Sequence, residues 1–208
     1  SLLSSGDHKA VNKMHQMSFL VYNLVIFPII AGMLIVNDDF VRFFLGKDFQ
    51  DARYAIAIMI FRMFFIGWTN IMGIQILIPH DKNKEFMLST TIPAIVSVGL
   101  NVLFLPHFGF IGAAIVSVLT ESLVWLIQLY YTRHYLREVP IIGSMAKIIF
   151  ASAVMYGLLL LIKPFLHFTP TLNVLVYAVL GGIIYLIAIL SLRVVDVKEL
   201  KQQFLNKQ

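Results

Sequence analysis

The stretch PHFGFIGAAIVSVLTESL, residues 106–123, decides how this chain folds. It opens with Pro and Gly, which break regular structure and favour a turn. The small cluster Gly112-Ala113-Ala114 follows, and then a strongly apolar run with one carboxylate, Glu121, inside it. If 106–110 is a turn, the apolar residues on its two sides belong to two separate helices lying against each other. The glutamate then sits deep within the second of them.

The rest of the chain gives that reading its setting. It has 208 residues, of which 59% are hydrophobic and 13% charged. A soluble domain carries about a quarter charged residues, and the mean hydropathy of +0.85 fits a polytopic membrane protein. Cysteine is absent, which excludes a disulfide framework and thiolate metal sites. The net charge is +5, but the basic residues fall mainly between apolar runs. That pattern reads as membrane topology and not as nucleic-acid binding. The opening Ser-Leu-Leu-Ser-Ser, without an initiator Met, reads as the interior of a longer chain.

A helix needs about 20 mostly apolar residues to cross a bilayer. Six runs meet that requirement, at 18–37, 54–78, 87–105, 111–132, 144–162 and 172–192. The sequence thus predicts an all-α transmembrane bundle. Residues 1–17 are expected to form a cytoplasmic linker, and 18–132 four membrane helices with an outer interfacial segment at 38–53. A cytoplasmic loop at 133–143, two last helices at 144–192 and a cytoplasmic tail at 193–208 complete it, with a helix expected over 194–204. Short linkers make consecutive helices antiparallel neighbours.

An even number of crossings leaves both ends on one side. That side carries eleven basic residues (Lys9, Lys13, Lys82, Lys84, Arg133, Arg137, Lys147, Arg193, Lys198, Lys201 and Lys207). The other side carries four: Arg42, Lys47, Arg53 and Lys163. Basic residues accumulate on the cytoplasmic side, so both ends of the chain are expected there, in a multi-pass protein of the cell membrane.

No catalytic constellation, metal site or phosphate-binding glycine loop is visible, so neither enzyme activity nor a cofactor is expected. The histidines His8, His15, His80, His107, His134 and His167 fall in linkers or at span ends and read as solvated loop residues. Two ionisable residues lie well inside spans, Arg62 and Glu121. Burying such a group costs about 2.5–3.5 kcal/mol on insertion scales, which makes each a functional candidate. Counting from the span starts at about 1.5 Å per residue puts them about 12 and 15 Å below the outer surface. They can meet there, either as a static pin or as part of a polar cavity that Asn70, Gln75 and Asn101 also line. Gly112, Ala113 and Ser117 form a small-residue surface for close helix approach. Pro28 and Pro93 are candidate kinks.

Three segments carry a family resemblance. LPHFGFIGAAIVSVLTE (residues 105–121) resembles a P-x-x-G-x-x-G-A-A element followed by Thr-Glu, and FFLGKDFQDARYAI (43–56) resembles an outer F-G-x-x-F-x-x-A segment. GIQILIPHDKNKEFM (73–87) is similar to the helix end and basic turn that follow. Together they resemble Wzx-type oligosaccharide flippases, of the multidrug/oligosaccharidyl-lipid/polysaccharide exporter superfamily. The resemblance implies the C-terminal half of a transporter with 12–14 spans, whose N-terminal lobe is a partner within the same full-length protein. It implies alternating-access transport of an undecaprenyl-pyrophosphate-linked oligosaccharide, with membrane lipids and a polysaccharide polymerase as further partners. Lipid II or teichoic-type flippases and drug/cation antiporters are alternatives within the superfamily. A membrane-embedded glycosyltransferase or polymerase is the alternative from another class.

Overall fold

The computed structural model describes residues 8–137, 139–166 and 168–194. These form an all-helical bundle with no strand among the described residues. The helices are α1 (His8–Phe44), α2 (Ala52–Asn70), α3 (Asn83–Leu136), α4 (Ile142–Ile162) and α5 (Pro170–Ser191). Between α2 and α3 lie a π-helical segment, Ile71–Leu77, and a 3-10 turn, Ile78–His80. All five helices are long and apolar enough to cross a membrane. Outward-facing side chains are large and apolar, with Ile95, Val102 and Leu161 each 69% exposed. Lipid, not water, suits such a surface.

Six apolar runs become five helices because the third and fourth join in α3. As a straight rod its 54 residues would measure about 81 Å, more than twice a bilayer core. It is not straight. Gly109, at φ 53° and ψ −136°, is its one non-helical residue, in a region of backbone space that essentially only glycine occupies. A Cβ added at Gly112 would lie 2.7 Å from the Phe104 carbonyl oxygen, although eight residues span about 12 Å along a helix. The Gln128 amide donates to the Ser89 hydroxyl over 3.2 Å, where a straight helix would hold them about 58 Å apart. α3 is therefore a hairpin with arms 83–108 and 110–136. The expected turn at 106–110 shrinks to one glycine, and Pro106 is accommodated within the first arm.

Three other expectations on boundaries are corrected. α1 begins at His8, inside the expected linker 1–17. It also continues through Pro28 to Phe44, taking up much of the segment expected to lie on the membrane at 38–53. It stops at Gly46, whose positive φ of 87° glycine adopts without strain and whose N–H bonds back to the Val41 carbonyl. A short 3-10 turn, Lys47–Phe49, then leads to α2. The loop expected at 133–143 narrows, since α3 runs to Leu136 and α4 starts at Ile142. The expected tail lies outside the described residues from 195 onward.

α1 is the spine. On one side it crosses α2, where Gly67 faces Tyr22 and the Tyr22 hydroxyl donates to the Met63 carbonyl. The Trp68 indole N–H donates to Asn23 Oδ1 over 3.0 Å in the same interface. On the other side Ala31, Ile35 and Val36 of α1 pack with Ile148, Met155 and Leu159 of α4 and with Tyr177 and Tyr185 of α5. The Tyr185 hydroxyl reaches the Leu24 carbonyl at 2.8 Å. The α3 hairpin packs against α2 and the π-helical segment.

The polar groups at one end of the bundle bind each other. Asn37 donates to the Arg53 carbonyl (2.7 Å) and Arg53 pairs with Asp38 (3.4 Å). Lys163 donates to the Ile35 carbonyl (2.9 Å) and Asn173 to Asp39 (3.2 Å). Of these residues, Arg53 and Lys163 are two of the four that the charge count assigned to the less basic side.

Candidate functional site

The two charged residues in mid-span come together. α2 and the second arm of α3 run in the same direction, so Arg62 and Glu121, each about ten residues from its helix start, reach one level. Arg62 Nη2 donates to Glu121 Oε1 at 2.8 Å, and Arg62 Nε reaches the same oxygen at 3.3 Å. The side chains are 37% and 19% exposed, so the pair is only partly covered. Among the described residues Arg62 Nη1 and Glu121 Oε2 have no hydrogen-bond partner, and neither is a buried atom. A bidentate Arg–carboxylate pair would use both oxygens in parallel bonds. This one leaves Arg62 Nη1 and Glu121 Oε2 uncommitted.

Beside the pair lies a cleft of about 310 Å³ between α2, the π-helical segment and both arms of α3. Its polar lining comes from Thr69, Asn70, Thr90, Thr120, Glu121 and Gln128. Thr90 and Thr120 bond to carbonyls of their own helices, the first to Met87 at 2.9 Å and the second to Val116 at 2.8 Å. This satisfies the hydroxyl hydrogens in an apolar setting and leaves oxygen lone pairs as acceptors. Deeper, Ser89 donates to the Phe86 carbonyl at 2.7 Å while accepting from Gln128, and Gln128 Oε1 is buried without a partner.

The other sequence-selected residues separate. Asn70 lines this cleft and also a shallow groove against α1, which it shares with Gln75 of the π-helical segment. Asn101 is not in the cleft: its amide donates back to the Ser97 carbonyl at 2.9 Å on its own helix. Gly112 is buried and makes the close approach to the first arm, together with buried Ala114, whereas Ala113 and Ser117 are only half-buried. His15 corrects the reading of solvated loop histidines: it lies within α1 and is 1% exposed. The threonine and glutamine wall was missed because only the charged pair and the amides Asn70, Gln75 and Asn101 stood out within the spans. The signal that could have found it is the recurrence of Thr90, Thr120 and Gln128 inside otherwise apolar runs.

Fold and site define a polytopic helical membrane protein with a polar, charged cleft within its apolar span. No family model matches the chain. It is similar to an uncharacterized membrane protein of Methanocaldococcus jannaschii, at 23% identity over 204 residues. The match covers 96% of this chain and 39% of that relative, so the chain spans well under half the length of the protein it resembles.

Proposed function

We propose that this chain forms one lobe of an alternating-access transporter that flips a lipid-linked oligosaccharide. The cargo would be undecaprenyl-pyrophosphate-linked and would move from the cytoplasmic to the outer leaflet of the cell membrane for assembly of a surface polysaccharide such as capsule or O-antigen. The chain's ends would face the cytoplasm, in keeping with eleven basic residues on that side against four on the other. The second lobe would come from the remainder of a longer protein, and the cleft would open toward it. No chemical step is assigned to the lobe.

The observation that carries this reading is the partly committed ion pair. A pyrophosphate leaving water needs charge-assisted donors, and Arg62 has a free Nη1 beside a cleft that its partner Glu121 lines and whose other walls offer amides and hydroxyls to a sugar. Glu121 holds the guanidinium in place between loads.

The test replaces Arg62 with Ala in the full-length protein, with surface polymer and membrane abundance measured in the same cells. Export lost at normal abundance is the expected result. Abundance lost with export would mean that the pair is a structural pin. The swap Arg62→Glu with Glu121→Arg discriminates further, since a pin survives exchange and a cargo contact does not.

A further inference from the structure

The net charge of the chain sits at one end of the bundle. The more basic side holds eleven basic and six acidic residues, the other side four of each, and Arg62 and Glu121 cancel in mid-span. The whole of the +5 therefore belongs to one end. Four segments meet there. The start of α1 lies beside Gln75 in one groove, and in a second pocket beside Pro140, Ile141 and Ser144 at the start of α4. His80, on the turn before α3, packs against Tyr135 near the end of α3, with ring centroids 4.2 Å apart.

The two ends treat their cations differently. At the neutral end Arg53 pairs with Asp38 at 3.4 Å, Arg42 bonds Gln50 at 3.3 Å and Lys163 bonds the Ile35 carbonyl at 2.9 Å. At the basic end eight of the eleven cations lie among the described residues, and all eight are exposed. Lys82 pairs with Glu85 at 3.1 Å, while the other seven have no ion pair among the described residues. One of the seven is nonetheless held in place. The Arg133 guanidinium lies 4.4 Å over the ring of Tyr130, one turn earlier on α3, and Tyr130 is 60% exposed on the outside of the bundle. Tyrosine favours the level of lipid headgroups, and a stacked guanidinium keeps its N–H edge free for a phosphate. Arg137 follows at the end of the same helix. The contact of His80 with Tyr135 brings Lys84, on the turn into α3, to the same end.

We propose that this end of the bundle is a binding surface for anionic phospholipid headgroups, centred on Arg133 and Arg137. The surface has the charge and the position for that partner. Its cations stand unpaired where apolar helices leave the membrane, and a negatively charged leaflet attracts basic residues placed there. Arg133 offers its free edge to a lipid phosphate, with the Tyr130 ring beneath it at the boundary of the acyl chains. Arg137 and Lys84 add charge around it. An acidic soluble protein would match the charge but not the outward tyrosine, whose ring suits a lipid neighbour. The neutral end has spent its cations on its own carboxylates, amides and carbonyls, and offers no such surface. The assignment does not depend on the cargo.

The test places the full-length protein in vesicles of phosphatidylglycerol and phosphatidylcholine in equal parts. Native mass spectrometry then reads which lipid stays bound. Phosphatidylglycerol is expected to be retained in preference, and the preference to fade toward about 1 M salt, where charges are screened beyond about 3 Å. A basic residue near an anionic surface contributes about fivefold to binding, so Arg133→Gln with Arg137→Gln is expected to lower the preference about 25-fold. Arg133→Lys with Arg137→Lys keeps both charges and is expected to retain most of it, which separates lost charge from lost fold. Lys47→Gln, at the neutral end, is expected to change nothing. Equal retention of the two lipids overturns the proposal, as does a preference that survives in the Gln pair or falls as far in Lys47→Gln. Displacement of the lipid by added polyglutamate would assign the surface to an acidic protein and overturn it too.

Discussion

Gly67 lies where α1 crosses α2, one turn beyond Arg62. A Cβ there would overlap the Tyr22 ring at Cζ, Cε2 and Cε1. Gly67→Ala must therefore displace the ring, and the Tyr22 hydroxyl must release the Met63 carbonyl. Overpacking of this kind costs about 1–3 kcal/mol, and a lost hydrogen bond adds about 0.5–1.5 kcal/mol. The expected loss is therefore about 2–4 kcal/mol, read as the shift in unfolding of the purified protein under increasing denaturing detergent. Tyr22→Ala alone removes the ring and the bond. The double variant should be less destabilised than the sum of the singles by about 1 kcal/mol or more, because the clash is counted only once. Additivity of the two, or a Gly67→Ala protein as stable as the original, would refute this crossing geometry.

Two further predictions concern the hairpin and its cleft. Gly109→Ala places a side chain at φ 53° and ψ −136° and is expected to cost about 1–3 kcal/mol, lowering the yield of folded protein; an unchanged denaturation profile would argue against a break at that residue. Gln128→Leu removes an amide whose oxygen is already buried without a partner, while Ser89 keeps its bond to Phe86, so unfolding is expected to be unchanged or slightly more difficult, although transport should fall if the cleft carries cargo.

The meeting of Arg62 and Glu121 was legible because depth in a membrane helix follows from counting residues, and because two isolated charges in an apolar medium have few other places to go. The six crossings were legible for the same reason, with Gly109 marking the fold-back inside the quoted stretch. The length of α1 was not. NDDFVRFF reads as the start of a separate interfacial segment, and it continues α1 instead, with Asp38 and Asp39 meeting Arg53 and Asn173 across the end of the bundle. The π-helical winding of IMGIQIL was equally hidden, since one extra residue in a turn leaves no mark on an apolar run.

The position of α1 as spine has a consequence for how the chain is made. The face of α1 that receives α4 and α5 is synthesised first, yet its partners come last: Lys163 binds Ile35 from 128 residues further along. At about 5–20 residues per second that gap lasts about 6–26 s. During this time Ala31, Ile35 and Val36 must be covered by lipid or by the insertion machinery. Truncated chains ending before residue 142 should therefore insert with this stripe available to any passing helix. Of all the surfaces in the molecule, it is the one most exposed to mispairing in the cell.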